Sequence, residues 1–257
     1  MSAGIHFREA RAPQGMRLYA IGDVHGRLDL LTAMHRAIAD EIERERPQDW
    51  RVVHLGDYVD RGPDSRGVID RLIEARERDP RNVMLTGNHE VGLQGFLAMP
   101  DARGLFVRYG GVETARSYGV SLSPERGDIV RARDALAGAM PPAHVDFLAS
   151  LSYSFEAGDF FFCHAGIRPG VPLPQQSPTD LAWIRDEFLA YPGLHPKLVV
   201  HGHTPGPAAE VLPNRVNLDS YAWHSGRLSA LAVDGAAKHI LTVTEDGAVQ
   251  RSEEVTP

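Results

Sequence analysis

Cysteine is almost missing from this chain: Cys163 is the only one in 257 residues. That excludes an intrachain disulfide and leads us to expect a reducing, cytoplasmic setting. It lies in Phe160-Phe161-Phe162-Cys163, a buried-strand context in which a thiol is inert packing and not a nucleophile. Lysine is scarce too, with Lys197 and Lys238 the only two in an Arg-based positive set, which reads as compositional bias and not as a binding device. No apolar run is long enough to cross a bilayer as a helix, so no membrane partner is expected. Residues 1–15 lack the apolar core of a signal peptide and read as an N-terminal arm. Positive charge is in deficit, with a net charge of -7, which argues against a nucleic-acid footprint because neutralising phosphates needs a basic face. An anionic substrate would have to meet its positive charge locally.

What is present is ordinary globular material, 43% hydrophobic and 24% charged, long enough for one domain over residues 16–257. Leu18-Tyr19-Ala20-Ile21 reads as a strand running into Gly22-Asp23-Val24-His25-Gly26, and Leu28, Leu31, Met34, Ile38 and Ile42 follow at helical spacing. Arg51-Val52-Val53-His54-Leu55 runs into Gly56-Asp57-Tyr58-Val59-Asp60-Arg61-Gly62, then a helix with Val68, Ile69, Leu72 and Ile73 inward. Asn82 to Thr86 runs into Gly87-Asn88-His89-Glu90 and a third helix. Three such units predict an α/β fold with a parallel sheet and a site at the carboxyl ends of its strands.

Residues 99–150 change character. Pro100, Pro124, Pro141 and Pro142 punctuate helical stretches, clearest at Val130 to Met140 and Val145 to Leu151, which reads as a helical insert capping the site. Strands then return: a hairpin over 153–163 ends in His164-Ala165-Gly166, a short helix spans 181–186, and Lys197-Leu198-Val199-Val200 ends in His201-Gly202-His203-Thr204. Candidate strands at 216–219, 228–233 and 239–244 are expected to complete a second sheet. Of the remaining histidines, His35 and His54 read as packing residues, and His6, His144, His195 and His239 as surface or loop residues.

Five strand ends thus deliver Asp23, His25, Asp57, Asn88, His164 and His203, oxygen and imidazole donors with no thiolate among them. That set suits two borderline divalent ions, manganese first, with iron or zinc as alternatives. Two ions roughly 3.5 to 4 Å apart need a shared ligand, and Asp57 is central in the set.

The ordered motifs Gly22-Asp23-Val24-His25-Gly26, Gly56-Asp57-Tyr58-Val59-Asp60-Arg61-Gly62, Gly87-Asn88-His89-Glu90, His164-Ala165-Gly166 and His201-Gly202-His203-Thr204 resemble those of the calcineurin-like metallophosphoesterases. Val59-Asp60-Arg61-Gly62 and Asn88-His89-Glu90 are similar to the phosphoprotein phosphatase family in its bacterial and phage branch. The resemblance implies a two-sheet β-sandwich flanked by helices. It implies one ion on Asp23, His25 and Asp57 and a second on Asp57, Asn88, His164 and His203, with His201 the alternative final ligand. A metal-bridging hydroxide would attack directly, with no phosphoenzyme. The resemblance makes His89 the general acid, supported by Asp60, and gives the phosphoryl oxygens to Arg61 and, through the Trp183-Ile184-Arg185 element, to Arg185. Tyr221 and His224 stand where relatives carry a loop over the site and are weighed as substrate contacts.

The implied activity is hydrolysis of phosphomonoesters, first of all phosphoserine and phosphothreonine in proteins, with phosphotyrosine or a small phosphomonoester as further substrates. Two rivals stand beside it. A symmetrical dinucleoside polyphosphate hydrolase shares the fold, but Asp60 and Glu90 speak against it. A non-catalytic phospho-recognition scaffold has no use for a proton donor such as His89.

Overall fold

The computed structural model describes residues 4–123 and 129–252, and Pro124 therefore lies outside the described residues. Eleven strands and ten α-helices follow one another among them: β1 (Met16–Ile21), α1 (Leu28–Glu45), β2 (Asp49–His54), α2 (Ser65–Arg78), β3 (Asn82–Met84), α3 (Asn88–Ala98), then the insert helices α4 (Leu105–Arg108), α5 (Gly111–Ser117), α6 (Ile129–Ala139) and α7 (Pro142–Ala149). The chain continues with β4 (Ser154–Ala157), β5 (Phe160–Cys163), α8 (Pro178–Trp183), α9 (Asp186–Leu189), β6 (Leu198–His201), β7 (Glu210–Val211), β8 (Arg215–Asn217), α10 (Ala222–Ser225), β9 (Arg227–Asp234), β10 (Ala237–Thr244) and β11 (Val249–Arg251).

The strands form two mixed sheets, β11-β10-β9-β1-β2-β3 and β4-β5-β6-β8-β7. Period-two alternation explains how they stack. From β1, Leu18 and Ala20 face the second sheet, where they meet Phe160, Phe162, Leu198 and Val200. Tyr19 and Ile21 point the other way, into a core shared with Leu30, Leu31 and Met34 of α1 and Val68 and Leu72 of α2. From β5, Phe161 and Cys163 face outward against Leu181 and Phe188 of α8 and α9. The result is helix, sheet, sheet, helix, and each fully buried Phe or Leu contributes about 1.5–3 kcal/mol. Cys163 is buried, and burial raises its thiol pKa, as its strand context predicts.

Several expectations change. The final strands do not all join the second sheet: β9 pairs antiparallel with β1, and β10 with β9, so both extend the first sheet, while β7 and β8 complete the second. The arm is packed into the sandwich, with Phe7, Ala10 and Ala12 buried between the sheets and Phe7 N–H donating to Pro213 O at 2.8 Å. His144, His195 and His239 are buried, not superficial. His144 bridges Tyr118 and Asp70, His195 stacks on Phe188 and Tyr191, and His239 meets Glu41. His35 and His54 pair through their Nε2 atoms at 2.8 Å. No helix among the described residues is long and apolar enough to cross a membrane.

Candidate metal centre and active site

The parallel strands β1, β2 and β3, and β5, β6 and β8, present their carboxyl ends on one side, and the loops leaving them interlock. Val24 and His25 N–H both donate to Asp57 O, at 3.1 and 2.8 Å, so the first two motifs hold one another. Seven described non-glycine residues have left-handed φ, and six of them sit here: His25, Asp57, Asp60, Arg61, His203 and Tyr221. Strained backbone of this kind persists only where surroundings over-determine it, and it gathers at functional sites. Two glycines show how tight the approach is. A Cβ on Gly202 would lie 1.9 Å from Asp23 Oδ1, and one on Gly87 would lie 2.2 Å from Asp57 Oδ1.

Asp57 divides its two oxygens. Oδ2 faces His25 Nε2 at 3.5 Å and His89 Nε2 at 3.9 Å, while Oδ1 faces His164 Nε2 at 3.3 Å. Two ligand-competent clusters result, His25, Asp57 and His89, and Asp57, His164 and His203, sharing Asp57. The Asn88 carboxamide oxygen lies 3.0 Å from His164 Nε2 and 2.8 Å from His203 Nδ1. Asp23 accepts His203 N–H at 3.0 Å and so sits against the other side of the cluster.

The donor set fits divalent ions. His164 has Leu55 O at 3.1 Å from Nδ1 and oxygens facing Nε2, and His25 has Val59 O at 2.8 Å from Nδ1 and Asp57 facing Nε2. A neutral ring owns one N–H, so in each case one nitrogen lone pair is left facing an oxygen, an arrangement that a cation between them satisfies. The carbonyl on Nδ1 fixes the ring and leaves Nε2 to ligate. Charge agrees. Burial, then the neighbouring carboxylates of Asp219 and Asp57, push Asp23 well above the usual carboxylate range. Burial opposes charge on Asp57 as well, but the surrounding imidazoles, His164 first, hold it well below that range. Burial keeps His25 neutral, and pushes His203 down to about 2. Deprotonated imidazoles among excess carboxylate are what a dication requires.

His89 differs from His25, His164 and His203 in that a carboxylate holds its Nδ1. Nδ1 lies 2.7 Å from Asp60 Oδ2, and Nε2 lies 3.2 Å from Arg61 Nη2. Burial works against charge on the ring, but Asp57 and Asp60 outweigh it and raise its pKa. Arg185 is not on a helix as expected: the chain breaks between α8 and α9, and this break aims the side chain at the site, with Nε 3.0 Å from His203 Nε2. His201 points elsewhere. Its Nδ1 meets Gly202 O, its ring packs against Phe188, and its Nε2 has no partner.

Glu90 does not face the substrate side at all. It accepts N–H groups from Asp57, Tyr58, Val59 and Gly87 at 2.8, 2.7, 3.3 and 2.8 Å, and so ties the second motif to the third. Burial, then the Asp57 charge, push it up to about 7. All four partners are donors, however, and the carboxylate is the form this loop is built around.

Above these groups opens a cavity of about 550 Å3 lined by His25, Asp57, Asn88, His89 and His203, with Arg61 and Arg185 on its walls. Tyr221 and Trp223 line it; His224 does not, and is exposed beside Tyr221. Arg108, Tyr109 and Asp219 also line the cavity and were not singled out from the sequence. Asp219 leaves the end of β8 as the other acidic and imidazole groups leave theirs, a pattern that marks it in retrospect. Burial raises its pKa to about 6. Arg108 and Tyr109 lie in the insert, where no glycine-flanked strand end announces them.

Residues 16–241 match the family model described as calcineurin-like phosphoesterase. A bis(5'-nucleosyl)-tetraphosphatase of the asymmetrical kind from Halalkalibacterium halodurans is 26% identical over 235 residues, covering 84% of this chain and 89% of that protein. A solved structure provisionally named a diadenosine tetraphosphatase superposes with a TM-score of 0.61 at 20% identity, covering 96% of this chain and 100% of its own. The cold-active protein-tyrosine phosphatase of a psychrophilic Shewanella gives 0.54 at 15% identity, over 98% of this chain and 85% of its own. At these identities the two structures speak for the fold alone.

Proposed function

The chain belongs to the calcineurin-like phosphoesterase family, a family of metal-dependent phosphoester hydrolases, and from that premise we propose that it hydrolyses phosphomonoesters, first of all phosphoserine and phosphothreonine in proteins, as a phosphatase of the phosphoprotein phosphatase type. Asp23, His25 and Asp57 would hold one divalent ion and Asp57, Asn88, His164 and His203 a second, with manganese the first candidate. When bound, such a pair supplies Lewis acidity to the phosphoryl oxygens and lowers the pKa of the attacking water.

The chain's own residues do the rest. Arg61 and Arg185 each rest on an imidazole, His89 and His203 respectively, and a phosphoryl group in the cavity offers both guanidinium groups a better, bidentate acceptor. Freed of Arg61, His89 Nε2 carries the proton that the leaving oxygen takes, while Nδ1 stays on Asp60. Among the described residues lining the cavity none is a Ser, Thr or Cys.

The observation that carries this reading is the buried Asp60–His89 pair beside Arg61. An alkoxide is a poor leaving group and needs a proton, so a built general acid is worth most on an alkyl phosphomonoester. A nucleotide leaves a phosphoanhydride as a good leaving group and gains far less from one.

A second reading has its own observation. Arg108 adds a third guanidinium to the cavity, and Tyr109, Tyr221 and Trp223 add aromatic faces, which suit a polyphosphate chain and a nucleobase. The name of the Halalkalibacterium relative supports a dinucleoside tetraphosphate as that substrate. Glu90, turned away from the cavity, does not weigh against it. Both readings are separated by assaying a phosphoserine peptide, a phosphotyrosine peptide and diadenosine tetraphosphate on metal-stripped protein, with and without manganese. Manganese-dependent phosphate release from a peptide supports the first reading. Cleavage of the dinucleotide alone replaces it with the second, and silence on all three in metal-loaded protein leaves the non-catalytic scaffold.

A further inference from the structure

The helical insert reaches into the reaction centre through one hydroxyl. Thr114 of α5 is fully buried. Its Oγ1 accepts Asp60 N–H at 2.8 Å, donates to Asp60 Oδ1 at 2.7 Å, and lies 3.0 Å from Ser65 Oγ, which itself accepts Asp60 N–H at 3.1 Å. The other oxygen of Asp60 is the one that meets His89 Nδ1 at 2.7 Å. Each carboxylate oxygen therefore has one short partner, Thr114 on one side and His89 on the other. Asp60 and the next residue, Arg61, hold left-handed φ values of 72° and 68°, a conformation that non-glycine residues keep only when their surroundings hold them. The insert supplies that hold twice. Besides Thr114, Gly110 O accepts Arg61 N–H at 3.1 Å, and a Cβ on Gly110 would lie 2.4 Å from Arg61 N.

We propose that Thr114 is a positioning residue for the general acid: its hydroxyl fixes the Asp60 carboxylate, and through it the direction in which His89 Nε2 presents its proton to the leaving oxygen. The proposal rests on the reading of His89 as general acid. It also gives the insert a role in turnover, since α5 carries the hydroxyl while the strand-end loops carry everything it orients. Without the hydroxyl, Asp60 Oδ1 loses its donor and the carboxylate turns more freely about its last bond. Among the described residues the Thr114 hydroxyl shares hydrogen bonds only with Asp60 and Ser65, and Arg61 N–H keeps Gly110 O, so KM is expected to hold.

The test compares manganese-loaded wild type, Thr114→Val, Thr114→Ser and His89→Asn on phenyl phosphate, whose phenoxide needs a proton, and on 2,4-dinitrophenyl phosphate, whose leaving group does not. We expect Thr114→Val to lose about tenfold in kcat on phenyl phosphate, a fraction of what removing the acid costs, with less than about a twofold change on the activated ester and in KM for both. Thr114→Ser restores the wild-type ratio. A loss of equal size on both esters, or none on either, overturns the proposal while leaving the acid in place, provided His89→Asn shows the selective loss. If His89→Asn shows no selective loss, the reading of His89 fails and the proposal with it. Should Thr114→Val not fold, Ser65→Ala removes the hydroxyl shared by Thr114 and Asp60 N–H and is expected to show the same selectivity at smaller size. Its absence there overturns the proposal.

Discussion

His203 turns Nδ1 onto the Asn88 carboxamide oxygen at 2.8 Å, while His201, two residues earlier, packs its ring against Phe188 on the far side of the strand. The two histidines of one short motif thus serve different neighbourhoods. Replacing His203 by Ala is expected to lower bound manganese from two ions per chain toward one, measured by elemental analysis after gel filtration. His201→Ala should leave the metal content intact. Loss of metal in the second variant but not the first would reverse the assignment.

The Asp60–His89 pair predicts a leaving-group requirement. His89→Asn should cut turnover of a phosphoserine peptide by about 10²- to 10⁴-fold while metal content stays constant, because the ring is held by the Asp60 carboxylate at Nδ1 and lies outside the proposed ligand set. The sign with pH follows. Burial depresses the ring's pKa, but Asp57 and Asp60 raise it overall, and the acid works only while protonated. Activity on a poor leaving group therefore declines as pH rises above that raised value. Asp60→Asn removes one of the raising charges and should move this alkaline limb to lower pH; a limb that stays in place would count against the pairing.

Glu90 predicts a stability effect without a change in the reacting groups. Its two oxygens receive four backbone N–H groups from two loops. Glu90→Gln keeps the shape but turns an NH2 toward two of those donors, leaving buried N–H groups without acceptors. We expect a loss of about 3 kcal/mol, read by urea unfolding of the metal-loaded protein. A variant as stable as wild type would mean that the loop does not depend on the carboxylate.

The strand-end motifs were legible because each couples a short apolar run to a glycine and a polar side chain, a local pattern that survives in one dimension. What was not legible depends on distant partners. His144, His195 and His239 carry no local sign of burial, since Tyr118 and Asp70, Phe188, and Glu41 bury them from elsewhere in the chain. Membership of β9 in the first sheet is set by pairing with β1, whose partner residues lie more than 200 positions earlier, and β10 follows by pairing with β9. Thr114 looks like any helical threonine until its hydroxyl is found on Asp60. Arg185 was found by its motif, but its exit from the helix rests on the break after Trp183, which helical spacing alone does not show.

The buried imidazoles set how the protein responds to acid. Burial pushes His35 and His203 down to about 2, His201 to about 3, and His54 and His195 to about 4. A depressed histidine stays neutral in the fold while the unfolded chain takes up a proton below about pH 6.5. Stability from these groups is thus complete above pH 6.5 and is lost as pH falls toward their folded values. Each contributes a slope of up to about 1.4 kcal/mol per pH unit. Asp219, raised to about 6, Glu90, raised to about 7, and Asp23 and Asp60, raised by burial, act in the opposite sense, but with His25, also depressed by burial, six imidazoles outnumber these four carboxylates. The melting temperature of metal-stripped protein should therefore fall on acidification from pH 6.5 to 4.5. His195 offers the control, since its Nε2 has no partner and its ring stacks between Phe188 and Tyr191. His195→Phe keeps the stack, removes one titrating group and should flatten the fall; an unchanged slope would show that His195 does not remain neutral in the fold.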